Sequence, residues 1–305
     1  MQKIGQYLLA NNLRASLITL ACMLLPWPLD ASAVIILILV TLHHGALKGL
    51  GVLAWAILPA AAATWKSPAM AIPYDVAFIT GVFGWGFSSL LRLTRSWSRI
   101  LELAAAMGVI VVLAIHLLPS PLLAVIADGL QRIILENLQH AVQSDLAPVK
   151  EALGKIAAYL LGSLYTVFAL FSIICVMLAR LWQLKLIAAA GEKRIEFYSI
   201  RVSRILAVFS ALVVIAMFTW KINWLVSLSQ VAILPFVFAG FSMLIYLNMI
   251  NQSHKYWRFV LLLTAVMILL FLPRYLLISL ALVGFVDSWI NFRKWHFLRI
   301  KRVNS

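Results

Sequence analysis

Long apolar stretches separated by short polar or basic breaks run through the chain, without the strict alternation of a half-buried strand. Ten such stretches can be marked, at 15–29, 31–42, 49–64, 74–91, 100–118, 156–180, 205–220, 224–247, 259–272 and 275–290. A helix perpendicular to a bilayer needs about 20 apolar residues to cross it, with roughly 17 as the lower limit. The first two stretches are short, and Pro26 and Pro28 interrupt the first. Residues 15–42 therefore read either as two short spans or as a hairpin that dips and returns. The last two stretches, on either side of Pro273, are short as well. The pattern predicts an all-α, polytopic transmembrane helical bundle of about 8–10 membrane segments, built as one domain over 1–305. An even number of crossings puts both termini on one side.

Composition narrows the class further. Of 305 residues, 64% are hydrophobic and only 11% charged, where a soluble domain carries roughly 25% charged residues. Too few charges exist to cover a water-facing surface, so lipid must supply the missing solvent. In lipid every backbone polar group needs an internal partner, which leaves helices or closed barrels. The absence of period-two alternation decides for helices.

The net charge is +15, from 25 Lys and Arg against 10 Asp and Glu. No stretch carries a nucleic-acid-binding signature, so no nucleic-acid partner is expected. Placed on the segments above, roughly three in four of the basic residues fall on the N-terminal side of the membrane. Lys48, Arg92, Arg95, Arg99, Lys185 and Arg204 are among them. Lys66, Arg132, Lys150, Lys155, Lys221 and Arg274 fall opposite. The excess of Lys and Arg in cytoplasmic loops then predicts both termini inside, in the cytoplasmic (inner) membrane of a bacterium. Lys3 and Arg14, the apolar run that follows and Ala31-Ser32-Ala33 imitate a cleavable signal, but apolar sequence resumes at once. An uncleaved signal anchor is expected.

Two segments do not span. In 119–154, Leu130, Ile133, Ile134, Leu138, Ala141 and Val142 keep helical spacing, with Asp128, Arg132, Glu136, Gln139 and Gln143 on the other face. This predicts an amphipathic helix on the outer surface, or a lid. Residues 181–204 form a short basic cytoplasmic loop, expected to be helical around Arg194 to Arg204.

Little in the sequence carries chemistry. No His-Glu-x-x-His pair, carboxylate dyad or Cys/His cluster occurs, so no metal, cofactor or enzymatic activity is expected. Cys22 and Cys175 lie in apolar runs and read as free thiols that pack as small hydrophobes. Glu102 follows Arg99 at helical spacing, which predicts a local ion pair. Asp287 reads either as a proton or cation ligand or as a partner for Arg293 or Lys294; its place near the inner end of its segment favours pairing. His116, near an outer helix end, reads as an interfacial residue or an outer ligand contact. Gly154, Ala158 and Gly162, Gly45 and Gly49, and Gly81, Gly84 and Gly86 read as close-packing positions. Most tryptophans suit an interfacial belt. Trp65, Trp220 and Trp224, on the outer side, suit stacking on a ring-shaped ligand as well.

Four motifs together resemble a known family. They are LHHGALKGLGVLAWAILPA at 42–60; Ala179-Arg180-Leu181-Trp182-Gln183 with Glu196, Phe197 and Arg201; Gly284-Phe285-Val286-Asp287-Ser288-Trp289 with Arg293; and Ser96-Trp97-Ser98. They are similar to the proteobacterial branch of the YybS-like predicted membrane proteins. The chain departs from that pattern after Gln183, where the family has an Asn-Pro-Gly-Gly turn and residues 186–193 here read LIAAAGEK. The resemblance implies a fold related to the substrate-binding S components of energy-coupling-factor transporters, with an outward ligand cavity capped by 119–154. It also implies a docking face at Arg180, Trp182, Arg201, Asp287 and Arg293. Two functions follow as expectations: binding or transport of a small neutral or aromatic molecule, or a membrane scaffold that docks a cytoplasmic or membrane protein on its basic face.

Overall fold

The computed structural model describes residues 2–24, 30–66, 68–117, 147–187, 197, 200–220, 222–250, 273–290 and 293. All regular structure among the described residues is helical: α1 (Gln2–Ala10), α2 (Asn12–Met23), α3 (Asp30–His44), α4 (Ala46–Lys66), α5 (Pro68–Thr94), α6 (Trp97–Leu117), α7 (Ala147–Ile187), α8 (Arg204–Trp220), α9 (Asn223–Ile250) and α10 (Pro273–Ile290). Among the described residues, four helical stretches are long and apolar enough to cross a membrane: Val76–Thr94, Trp97–Ala114, Ser163–Leu186 and Trp224–Tyr246. An integral membrane protein is compatible with these helices. The all-α expectation holds.

The chain divides into two compact units, 1–100 with 167–196, and 101–166 with 197–305. In the first unit α3 is central, and Ala33, Val34 and Ile36 to Leu42 are all buried. A helix that is apolar all round belongs inside a bundle, which is where the neighbours of α3 put it. Its buried Thr41 hydroxyl is satisfied within the helix, donating to Leu37 O at 2.8 Å. Glycines set the spacing around it. A side chain at Gly49 would strike Thr41 and Trp85, and one at Gly84 would strike Ile38. Gly81 and Gly84 are packing positions as expected; Gly86 has open space beside it. Deeper in the same unit, Ser172 of α7 donates to Thr80 O of α5 at 3.0 Å.

Residues assigned to the inner side by charge gather at one end of this unit. Arg92, near the end of α5, donates to Leu42 O (3.3 Å) and His43 O (2.9 Å), capping the last carbonyls of α3. The chain then turns at Gly45, whose φ of +108° favours glycine. His44 Nε2 donates to Leu9 O of α1 at 2.9 Å.

In the second unit α9 is the central helix. It packs in an antiparallel hairpin with α8, where Ser210 Oγ donates to Ala232 O at 3.0 Å. Its closest neighbour is α10. A side chain at Gly240 would strike the backbone of Leu280, and one at Gly284 would strike the backbone of Phe236. The two helices thus touch backbone to backbone through paired glycines. They run parallel, because Arg293 beyond the end of α10 reaches Ser242 of α9. The apolar stretch 259–272, between them in the chain, lies outside the described residues.

Four expectations change. Helix α1 was not anticipated. Helix α7 has 41 residues, about 62 Å, so 147–154 opens this helix instead of closing a surface segment; 119–146 lie outside the described residues. Residues 181–187 continue α7 as helix, while Ile200 to Ser203 are not helical and α8 starts at Arg204. The expected helix around Arg194 to Arg204 therefore fails at 200–203, because side chains and carbonyls of that stretch are pinned to other helices, as described below. The rest of that loop lies outside the described residues. Gly154, Ala158 and Gly162 fall in the part of α7 whose side chains are likewise outside the described set.

Candidate functional site

The second unit concentrates its charge around one carboxylate. Asp287, near the end of α10, is only 1% exposed. Arg293 Nη2 lies 3.4 Å from its Oδ2, and Arg201 Nε lies 3.8 Å from the same oxygen. Among the described residues neither carboxylate oxygen has a hydrogen-bond partner, so these contacts are ionic. Two guanidiniums thus share one buried carboxylate oxygen. Taking a carboxylate out of water costs several kcal/mol unless it is paired, and the two arginines supply that pairing. Burial pushes the Arg293 guanidinium below its ordinary value, and the neighbouring Asp287 pulls the other way.

The remaining donors of the two arginines tie three chain segments together. Arg201 Nη2 donates to Asp287 O at 3.0 Å and Ser288 O at 3.4 Å, satisfying carbonyls near the end of α10. Arg293 Nη2 donates to Ile200 O at 3.1 Å and Ser242 Oγ at 3.3 Å. Its guanidinium also lies 5.8 Å from the Tyr246 ring centre, within cation–π range. Ser242 Oγ in turn donates to Phe197 O at 2.6 Å. The stretch entering α8 is therefore held by side chains of α9 and by Arg293 beyond α10.

Just beyond it, the start of α8 is capped from two directions. Leu206 N donates to Ser203 Oγ at 3.4 Å, the usual N-cap bond. Ser203 N donates to Glu102 Oε1 at 3.1 Å. In a capping box the second bond comes from a Glu in the helix's own first turn; here position 206 is Leu, and Glu102 of α6 takes that part from a distant segment. A carboxylate at a helix N-terminus also meets the positive end of its dipole. This corrects the expected pairing of Glu102 with Arg99: among the described residues its partner is the Ser203 amide.

The sequence-nominated residues separate into two groups. Arg201, Asp287 and Arg293 come together as one cluster. Arg180 donates to Gln183 Oε1 at 2.6 Å within α7, and Trp182 packs against Gly5 of α1 and the core of the first unit. On the ligand side, Trp65 at the end of α4 is 95% exposed and Trp220 at the end of α8 is 68% exposed. Trp224, the second residue of α9, is partly buried. His116 Nδ1 donates to Val112 O at 2.8 Å in its own helix. The structure does not gather Trp220, Trp224 and His116 of the second unit around one another through any hydrogen bond or ring contact among the described residues.

The sequence offered Arg293 or Lys294 as a partner for Asp287, beside a proton or cation, but could not supply Arg201, because 86 residues separate them. Cys22 is partly buried and Cys175 buried, both as free thiols. No group of three or more metal-ligating side chains occurs among the described residues. The chain matches no protein-family model, no curated protein and no solved structure.

Proposed function

We propose that the chain is a multi-pass, non-enzymatic protein of the bacterial cytoplasmic membrane, similar to the YybS-like proteins, that docks a cytoplasmic or membrane partner on its basic inner end. Both termini lie inside in this reading. The observation that carries it is the Arg201–Asp287–Arg293 cluster, which fixes Ile200 to Ser203 against α9 and α10. A docking surface gains from such preorganisation, since ordering costs at association are reduced. Exposed Arg204 at the start of α8 adds charge beside it, which suits an acidic partner surface.

Carriage of a small neutral or aromatic molecule, in the manner of an S component, is the second reading. Exposed Trp65 and Trp220 favour it, since an indole face at a helix end meets either lipid headgroups or a ring-shaped ligand.

Native mass spectrometry of the detergent-purified protein separates the two. Docking predicts a protein partner in fixed ratio that is lost in Arg204→Glu, with the fold unchanged by circular dichroism. Purification with a bound small molecule and no protein partner would replace the docking reading with the second. A C-terminal reporter on the periplasmic side would reverse the orientation and remove both.

A further inference from the structure

The N-terminal helix α1 is too short to cross a bilayer: its nine residues extend about 14 Å against a hydrocarbon core of about 30 Å. Steps of about 100° per residue divide its surface into three arcs. Gly5, Leu8 and Leu9 form the first, with Gly5 and Leu8 buried; a side chain at Gly5 would strike Leu186 and approach Trp182. Gln6 and Ala10, both exposed, occupy the second. Ile4 and Tyr7 make the third, and both are exposed despite being large and apolar. A helix on a water-facing surface needs only two arcs, one to the core and one to water. The third needs another apolar medium.

Two further observations name that medium. The exposed apolar edge of α1 continues into α2, one of the bundle's apolar helices, where Leu13 and Leu17 are exposed, and on to its C-cap Leu24. Arg14, in the first turn of α2, stands with its guanidinium 4.8 Å from the centre of the Tyr7 ring. An aromatic ring beside a cation is the arrangement found where hydrocarbon meets headgroups. The chain's charge of +15 complements an anionic leaflet. The C-terminal end of α1 is tied to α3, since His44 holds Leu9 O at 2.9 Å.

We infer that α1 is an in-plane anchor seated in the headgroup layer of an anionic leaflet, with Ile4 and Tyr7 in the acyl boundary and Arg14 at a lipid phosphate. The inference rests on the membrane reading of the bundle, so its test carries a separate reference position.

Single cysteines at Ile4, Gln6, Tyr7 and Leu17 are introduced in a Cys22→Ala, Cys175→Ala background, spin-labelled and placed in nanodiscs of phosphatidylethanolamine and phosphatidylglycerol. Collision with oxygen reports lipid, and collision with a water-soluble nickel chelate reports water. Positions 4, 7 and 17 should favour oxygen and position 6 nickel, and protection at 7 should fall in nanodiscs of phosphatidylcholine alone. Nickel access at 4 and 7 with oxygen preference retained at 17 overturns the anchor and leaves the membrane bundle standing. Nickel access at 17 as well overturns both. Protection at 7 that is equal in the two lipids removes the anionic headgroup from the assignment. Should the cysteine-free protein fail to fold, a photo-crosslinking phenylalanine at position 7 in the otherwise native chain gives the same decision. Lipid adducts support the anchor, and protein adducts show that a protein covers this face.

Discussion

Arg293 and Asp287 stand 3.4 Å apart at the end of α10, and the arginine holds Ile200 O with the same nitrogen that faces the carboxylate. The ion pair is therefore also a fastening between α10 and the entry to α8. Removing the charge of Asp287 takes away the anion that both guanidiniums face.

Asp287→Asn is expected to insert normally and to lose roughly 3 kcal/mol of stability, the scale of breaking one side of a buried pair. Arg201 is 32% exposed on its side chain and Arg293 11%, so most of that loss falls on Arg293. Thermal unfolding in detergent measures it. Adding Arg293→Gln to Asp287→Asn should recover part of the loss; a strictly additive double variant would show that the two do not interact.

Gly240→Val and Gly284→Val should each separate α9 from α10, because the atoms a side chain would strike are backbone atoms of Leu280 and Phe236 that cannot swing aside. A loss of about 3 kcal/mol or failure to assemble is expected. Gly86→Ala is the control. With open space beside it, it should be neutral or stabilising by up to about 1 kcal/mol through helix propensity.

The shared cap at α8 separates charge from hydrogen bonding. Ser203→Ala should cost about 1 kcal/mol. Glu102→Gln keeps an acceptor for Ser203 N but loses the charge at the helix end, about 0.5 kcal/mol, while Glu102→Ala loses both. Hydrogen exchange at the amides of Ser203 and Leu206 reads the cap directly. Equal protection in all three variants would mean the cap contributes nothing.

Tyr165→Phe deletes the hydroxyl that donates to Ala104 O at 2.6 Å between α7 and α6. The expected loss is about 1 kcal/mol, readable as a lower unfolding temperature. No change would mean the carbonyl is equally well satisfied within its own helix.

The helical class was legible because hydrophobic runs without alternation admit few other arrangements in so charge-poor a chain. The contact of Arg92 Nη1 with the His43 carbonyl, between α5 and α3, was not legible. What escaped was pairing across the sequence. Gly240 and Gly284 each announce a close approach, but nothing local says that they approach each other. Glu102 has a neighbour of opposite charge at helical spacing in Arg99, and local spacing points there; the backbone amide of Ser203, out of sight in sequence, gives the carboxylate a helix end instead. Helix α1 went unseen for a different reason. Lys3 and the apolar run after it fit the opening of a signal anchor, and so short an element has only Ile4, Tyr7 and Leu8 to show its period.

The parallel fit of α9 to α10 bears on how the chain is made. Helices joined by a tight hairpin can pair while synthesis continues, but these two cannot, since the ribosome must deliver the whole intervening stretch and α10 itself first. Until then the backbone around Gly240 has no neighbour to close on, and a product terminated before Pro273 would carry that gap permanently. Quality-control proteases that sample loose segments would meet such shortened chains with this face of α9 still open.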